Sequence, residues 1–102
     1  MLANALLYED QLEILMKETW YDDKYKFYHG TYNSYNDEKI NDDYNKRSFV
    51  SVDPNGDVIG YIKYNVDRVS NQAYEFGMIN FREPNIIFSM DVLKVFDDIF
   101  CK

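Results

Sequence analysis

The sequence predicts a single α+β domain of 102 residues, an antiparallel meander of three to four strands packed with two to three helices. Three observations carry this. The turn Asp53-Pro54-Asn55-Gly56-Asp57 separates two β-branched and aromatic runs, Phe49-Val50-Ser51-Val52 and Val58-Ile59-Gly60-Tyr61-Ile62, and Asn-Gly tolerates the positive φ angles of a tight hairpin. A third run, residues 73–81, follows the polar stretch Ser70-Asn71-Gln72 and completes the meander. Helical spacing of apolar residues brackets the strands on both sides.

In chain order, residues 1–7 are short and apolar and read as a first strand. From Glu9 the period becomes helical: Leu12, Leu15 and Met16 share one side, Thr19 and Trp20 extend it, and Glu9 and Asp10 suit the first turn. Tyr21, Tyr25, Tyr28 and Tyr32 are spaced by four, three and four, one side of a second helix with Gly30 as a possible C-cap. Residues 33–45 then form a polar loop, too long for a passive connection.

The second meander strand carries apolar side chains on both faces, Val58, Ile62, Tyr64 and Val66 on one and Ile59 and Tyr61 on the other, as in a sheet covered on both sides. The last segment turns helical after Pro84-Asn85, with Ser89 as N-cap and Asp91 in the first turn. Val92, Leu93, Phe96, Ile99 and Phe100 form its apolar face; Asp91, Lys94, Asp97 and Asp98 face water.

Composition limits the function classes. Eighteen acidic against eleven basic residues give a net charge of −7, which disfavours nucleic acid or an anionic membrane as a direct ligand and favours a basic protein surface. With one cysteine, Cys101, an intrachain disulfide is impossible. The apolar runs fall far short of the ~20 residues of a spanning helix, and a cytoplasmic protein is expected.

Three stretches go further: residues 18–30 with their Trp20-Tyr21 and Tyr28-His29-Gly30, the pair Phe49-Val50-Ser51-Val52-Asp53 and Val58-Ile59-Gly60-Tyr61-Ile62, and residues 95–102. Together with the element order they resemble the N-terminal half of the GCN5-related N-acetyltransferase (GNAT) family, in a bacterial and phage branch. The resemblance implies a GNAT-like half-fold, truncated before the family's fifth strand, and acetyl-CoA as the family cofactor. It also implies a glycine-rich pyrophosphate loop after the fourth strand. Phe81-Arg82-Glu83-Pro84-Asn85-Ile86-Ile87-Phe88-Ser89 stands there instead, with no glycine and with a carboxylate beside the expected anion.

Candidate site residues follow. Glu75, on the presumed fourth strand, is where the resemblance implies a general base; a surface carboxylate is the bland alternative. His29 and Cys101 lack a diagnostic nucleophile spacing, and Asp37, Glu38, Asp42 and Asp43 lack that of a calcium loop. Tyr32, Tyr35 and Tyr44, set among Asn and Asp, are expected to be exposed and, with those four acids, to form a binding face for a basic partner.

The expectation is a non-catalytic binding protein without a cofactor, of the kind exemplified by phage anti-CRISPR inhibitors, directed at a nucleic-acid-handling protein. The alternative is an acetyl-CoA-dependent N-acetyltransferase completed by dimerisation or a second chain. Residues 72–81 carry one charge and no proline, so an open sheet edge there should pair across a homodimer or with a partner strand.

Overall fold

The structure, a computed structural model, describes residues 1–22, 34–36, 46–67, 69–82 and 86–100, with the backbone alone at Glu75 and Phe100. It is α+β, as expected. Strand β1 (Leu2–Asn4) leads through a 3-10 turn (Ala5–Tyr8) into helix α1 (Glu9–Glu18); strands β2 (Lys46–Val52), β3 (Val58–Val66) and β4 (Ala73–Asn80) and helix α2 (Ile86–Phe100) follow. The described strands form one antiparallel sheet in the order β1-β2-β3-β4. Most of the Tyr21 to Tyr32 helix expected from the tyrosine spacing falls outside the described residues, while Tyr21 and Asp22 lie in the turn after α1.

The hairpin forms where the turn chemistry places it, with Val50 opposite Tyr61. Of the Asn55-Gly56 pair only Gly56 takes a positive φ, +86°. The Asp53 carboxylate does the remaining work, accepting from the amides of Asn55 at 2.9 Å and Asp57 at 3.0 Å. Gln11 then ties α1 to this turn: its Nε2 donates to the Gly56 carbonyl at 3.0 Å and its Oε1 accepts from the Val58 amide at 2.9 Å.

The sheet is covered on both faces. Leu12 and Met16 of α1 pack with Ala5, Val50, Val52, Val58 and Tyr61 in one core. Phe88 and Val95 of α2 pack with Ile59, Ile62 and Tyr64 in the other. Strand alternation alone would put Val58 with Ile62 and Tyr64, and Ile59 with Tyr61; the structure exchanges the two, Val58 joining the α1 side and Ile59 the α2 side. Ser51 pairs with Gly60 while Val52 pairs with Val58, so Ile59 is an extra residue in β3, and that bulge reverses the facing of everything before it.

Helix α2 corrects the sequence reading in four places. It begins at Ile86, so Ser89 lies inside it and is not its N-cap. Asp91 is therefore beyond the first turn, and it is 1% exposed where solvent was expected. Leu93 was assigned to the apolar face and is 61% exposed. The buried stripe is instead Phe88, Asp91, Val92, Val95 and Ile99, at spacings of three and four.

Phe88 lies directly on the backbone of Gly60, where a Cβ would collide with its ring. Gly60→Ala should destabilise the fold by about 1–3 kcal/mol, the usual cost of overpacking. Thermal or urea unfolding measures it, and Phe88→Leu in the Gly60→Ala background should recover part of the loss; wild-type stability in the single variant would show that α2 is not seated on this strand as described.

Candidate functional site

Among the described residues the sheet ends at β4, and three features meet there: a bulge, an edge with no described strand beyond it and two apolar cavities. Lys63 pairs with Gly77 but Asn65 with Tyr74, so Glu75 and Phe76 both stand opposite Tyr64. Phe49, Tyr64, Phe76 and Phe96 stack in succession over the α2 face, with centroids 6.2, 6.4 and 5.0 Å apart, and hold β4 to its helix.

The Phe81 amide donates to the Ile59 carbonyl at 3.0 Å, which fixes the direction of the ladder's hydrogen bonds. Because amides alternate along a strand and the pairing from Gly77 to Asn80 is regular, those of Ile79 and Gly77 point into the sheet. Those of Met78 and Asn80 point out of it. Among the described residues no strand lies beyond β4.

On the α2 side of this edge a cavity of about 400 Å³ is lined by Asn71, Gln72, Ala73, Phe76, Phe96 and Ile99. A shallower depression lined by Tyr64, Val66 and Asp98 shares Asn71, Ala73 and Ile99 with it, placing a carboxylate at the rim. Burial raises the Tyr64 hydroxyl above its ordinary pKa, and the neighbouring Asp98 charge adds to the shift. Asp67, at the end of β3, is held below the ordinary carboxylate range by the amides of Val69 and Ser70, so it is ionised at neutral pH. On the α1 side a second cavity of about 110 Å³ lies between Met16, Trp20, Tyr61, Lys63 and the β4 residues Gly77 to Ile79.

The residues singled out from the sequence are placed unevenly. Glu75 sits in the β4 bulge. Tyr35 is 6% exposed, packed edge-on to Tyr61 with centroids 6.1 Å apart, which corrects the expectation of an exposed contact residue. Tyr32, Asp37, Glu38, Asp42, Asp43 and Tyr44, like His29 and Cys101, lie outside the described residues. Among the described residues no cluster of acids, His or Cys has the arrangement of a metal site, and no helix is long and apolar enough to cross a membrane.

One buried polar group escaped sequence reasoning. The Ser51 hydroxyl donates to Asp91 Oδ2 at 2.6 Å, and the Met1 ammonium approaches the same oxygen at 3.2 Å. Lys94 Nζ stands 3.4 Å from Oδ1. Ser51 and Asp91 are both sealed from solvent, so this serine has no path to a substrate, and the cluster is a tie between β2 and α2. A lone Ser in a strand and an Asp on a helix 40 positions later give no local signal of it.

Arg82, just past β4, has its guanidinium 4.0 Å from an Asp53 oxygen and 3.8 Å from one of Asp57. Two carboxylates thus share this end of the strand with Arg82. Comparison of the chain with protein-family models, with curated proteins and with solved structures yields no match.

Removing the Asp91 carboxylate strands a buried hydroxyl and takes the counter-charge from the Met1 ammonium, which keeps its bond to the Val52 carbonyl, and from the exposed Lys94. Asp91→Ala should therefore cost about 2–4 kcal/mol, read as a lower urea midpoint at unchanged slope, and Asp91→Asn should fall between it and wild type. A loss below about 0.5 kcal/mol, the range of ordinary surface substitutions, would contradict a role in holding α2 to the sheet.

Proposed function

We propose that the chain is a non-catalytic acidic binding protein that occupies the basic surface of a nucleic-acid-handling protein, in the manner of a phage-type inhibitor. The observation that carries this reading is the charge of −7 on a chain of 102 residues. Acidic side chains are exposed on several elements, including Asp10, Glu13 and Glu18 on α1 and Asp97 and Asp98 on α2. Such a surface speeds encounter with a positive groove and disfavours nucleic acid itself.

The segment after β4 supports the binding reading over a transferase. A cofactor pyrophosphate at this strand end would meet Asp53 and Asp57 as well as Arg82, and residues 82–89 contain no glycine to let backbone amides close on it. Calorimetry with acetyl-CoA is expected to give a Kd weaker than about 1 mM, or roughly −4 kcal/mol. A low-micromolar value would move the assignment to an N-acetyltransferase completed by dimerisation or a second chain.

The acidic stretch from Asp37 to Asp43 provides the complementary test. With a partner isolated by affinity capture from the native host and identified by mass spectrometry, replacing Asp37, Glu38, Asp42 and Asp43 by Asn and Gln should slow association several-fold. The difference should shrink as salt shortens the screening length from about 10 Å at 0.1 M towards about 3 Å at 1 M. An unchanged association rate at low salt would remove this stretch from the contact.

A further inference from the structure

Strand β4 carries neither lysine nor proline, and Glu75 is its one charged residue, so its outer edge lacks the usual barriers to strand addition. It also lies between two apolar cavities, one beside Ala73 and Phe76 on the α2 side and one beside Gly77 to Ile79 on the α1 side. We propose that this edge accepts an extended segment of a basic protein partner as an added strand, with two apolar side chains at odd spacing entering the two cavities and Lys or Arg between them meeting the acidic rim on the α2 side.

The geometry sets the recognition rule. Successive side chains of a strand point to opposite faces, and each residue advances about 3.3 Å. A segment beside β4 therefore sends one side chain towards Phe76 and Phe96 and another, about three residues along, towards Trp20 and Ile79. Its backbone meets the outward amides of Met78 and Asn80, and half-exposed Met78 (52%) and Tyr74 (41%) lose water when it docks.

The sign of the charge selects the occupant. Asp98 lines the depression that adjoins the larger cavity, Asp67 is bonded through its backbone to the cavity residues Asn71 and Gln72, and Asp97 is exposed beside Asp98. A second copy would bring the same acids and another charge of −7 to this edge, whereas a basic segment neutralises them. The inference rests on the reading of the chain as an acidic binding protein and names the surface it uses.

The test takes the full chain and a capped octapeptide with Leu at its third position, Val at its sixth, and Lys and Thr elsewhere. Binding should slow amide exchange at Met78 and Asn80 about tenfold or more and should weaken as salt rises. N-methylation of the peptide edge that faces β4 should abolish binding, while methylation of its other edge should not; this control leaves the protein untouched. Met78→Pro, which removes an outward N–H, should lose the peptide too.

Peptide binding with exchange at Met78 and Asn80 unchanged would overturn the edge site while leaving the acidic reading intact. An octapeptide with Glu for every Lys that protects the edge equally would overturn the basic partner and keep only strand addition. Self-association that strengthens with salt and disappears in Met78→Pro would assign the edge to a second copy and overturn the proposal.

Discussion

The Phe88 ring resting on bare backbone at Gly60 sets how closely α2 approaches the sheet, and the rest of the architecture follows from that approach. The contact needs Gly60 to face α2, which it does by ordinary alternation with Ile62, and the extra residue Ile59 turns only the part of β3 that precedes it. With the bulge in place, Ile59 is buried on the α2 side and Val58 on the α1 side, and the central strand seals two cores at once. Once Phe88 is seated, Asp91 lies one turn further along the same stripe, opposite Ser51 of β2. An ordinary side chain at position 60 would lift α2 and open that buried polar tie to water.

What could be read in advance divides along the range of the interactions. The hairpin around Asp53 to Asp57, strands β2 to β4 and the presence of a helix on either side of them are specified by neighbours a few residues apart and stand where turn chemistry and periodicity put them. Of the strand expected over residues 1–7 only Leu2–Asn4 forms, Ala5–Tyr8 being a 3-10 turn. The face of Val58 was misassigned because the bulge that reverses it has no local signature beyond a glycine. The phase of α2 was misassigned for a different reason. Asp91 reads as a surface residue on any helical wheel, and only Ser51, brought in by the sheet from 40 positions away, makes its burial favourable. Leu93 was the apolar residue left outside when the stripe rotated.

The candidate site was legible as composition more than as geometry. The excess of acids and the poorly defended run of residues 72–81 are both plain in the sequence, and that run does form the end strand of the described sheet. Tyr35 shows the limit of reasoning from neighbours. Set among Asn and Asp it resembles a solvated contact residue, yet it lies edge-on to Tyr61 inside the α1 core, because tyrosine carries a large apolar body behind its hydroxyl. The two cavities were invisible in the sequence, since each is assembled from distant elements: one from α2, β4 and the turn before it, the other from β3, β4 and the α1 side.

An end strand as apolar as β4 is normally an aggregation liability, and its local defences are few. Its inner side chains are firmly held: Phe76 is clamped between Tyr64 and Phe96, and Ile79 packs into the α1 core. The fold therefore does not need the outer edge to be paired in order to keep the strand in place. Net charge supplies the protection that the strand lacks, because two copies approaching edge to edge repel over the screening length before their amides can meet. That protection depends on sign. On the proposed reading, a charge of −7 would keep copies of the chain apart while drawing positively charged chains towards the same surface, so one property would both suppress self-association and select the partner.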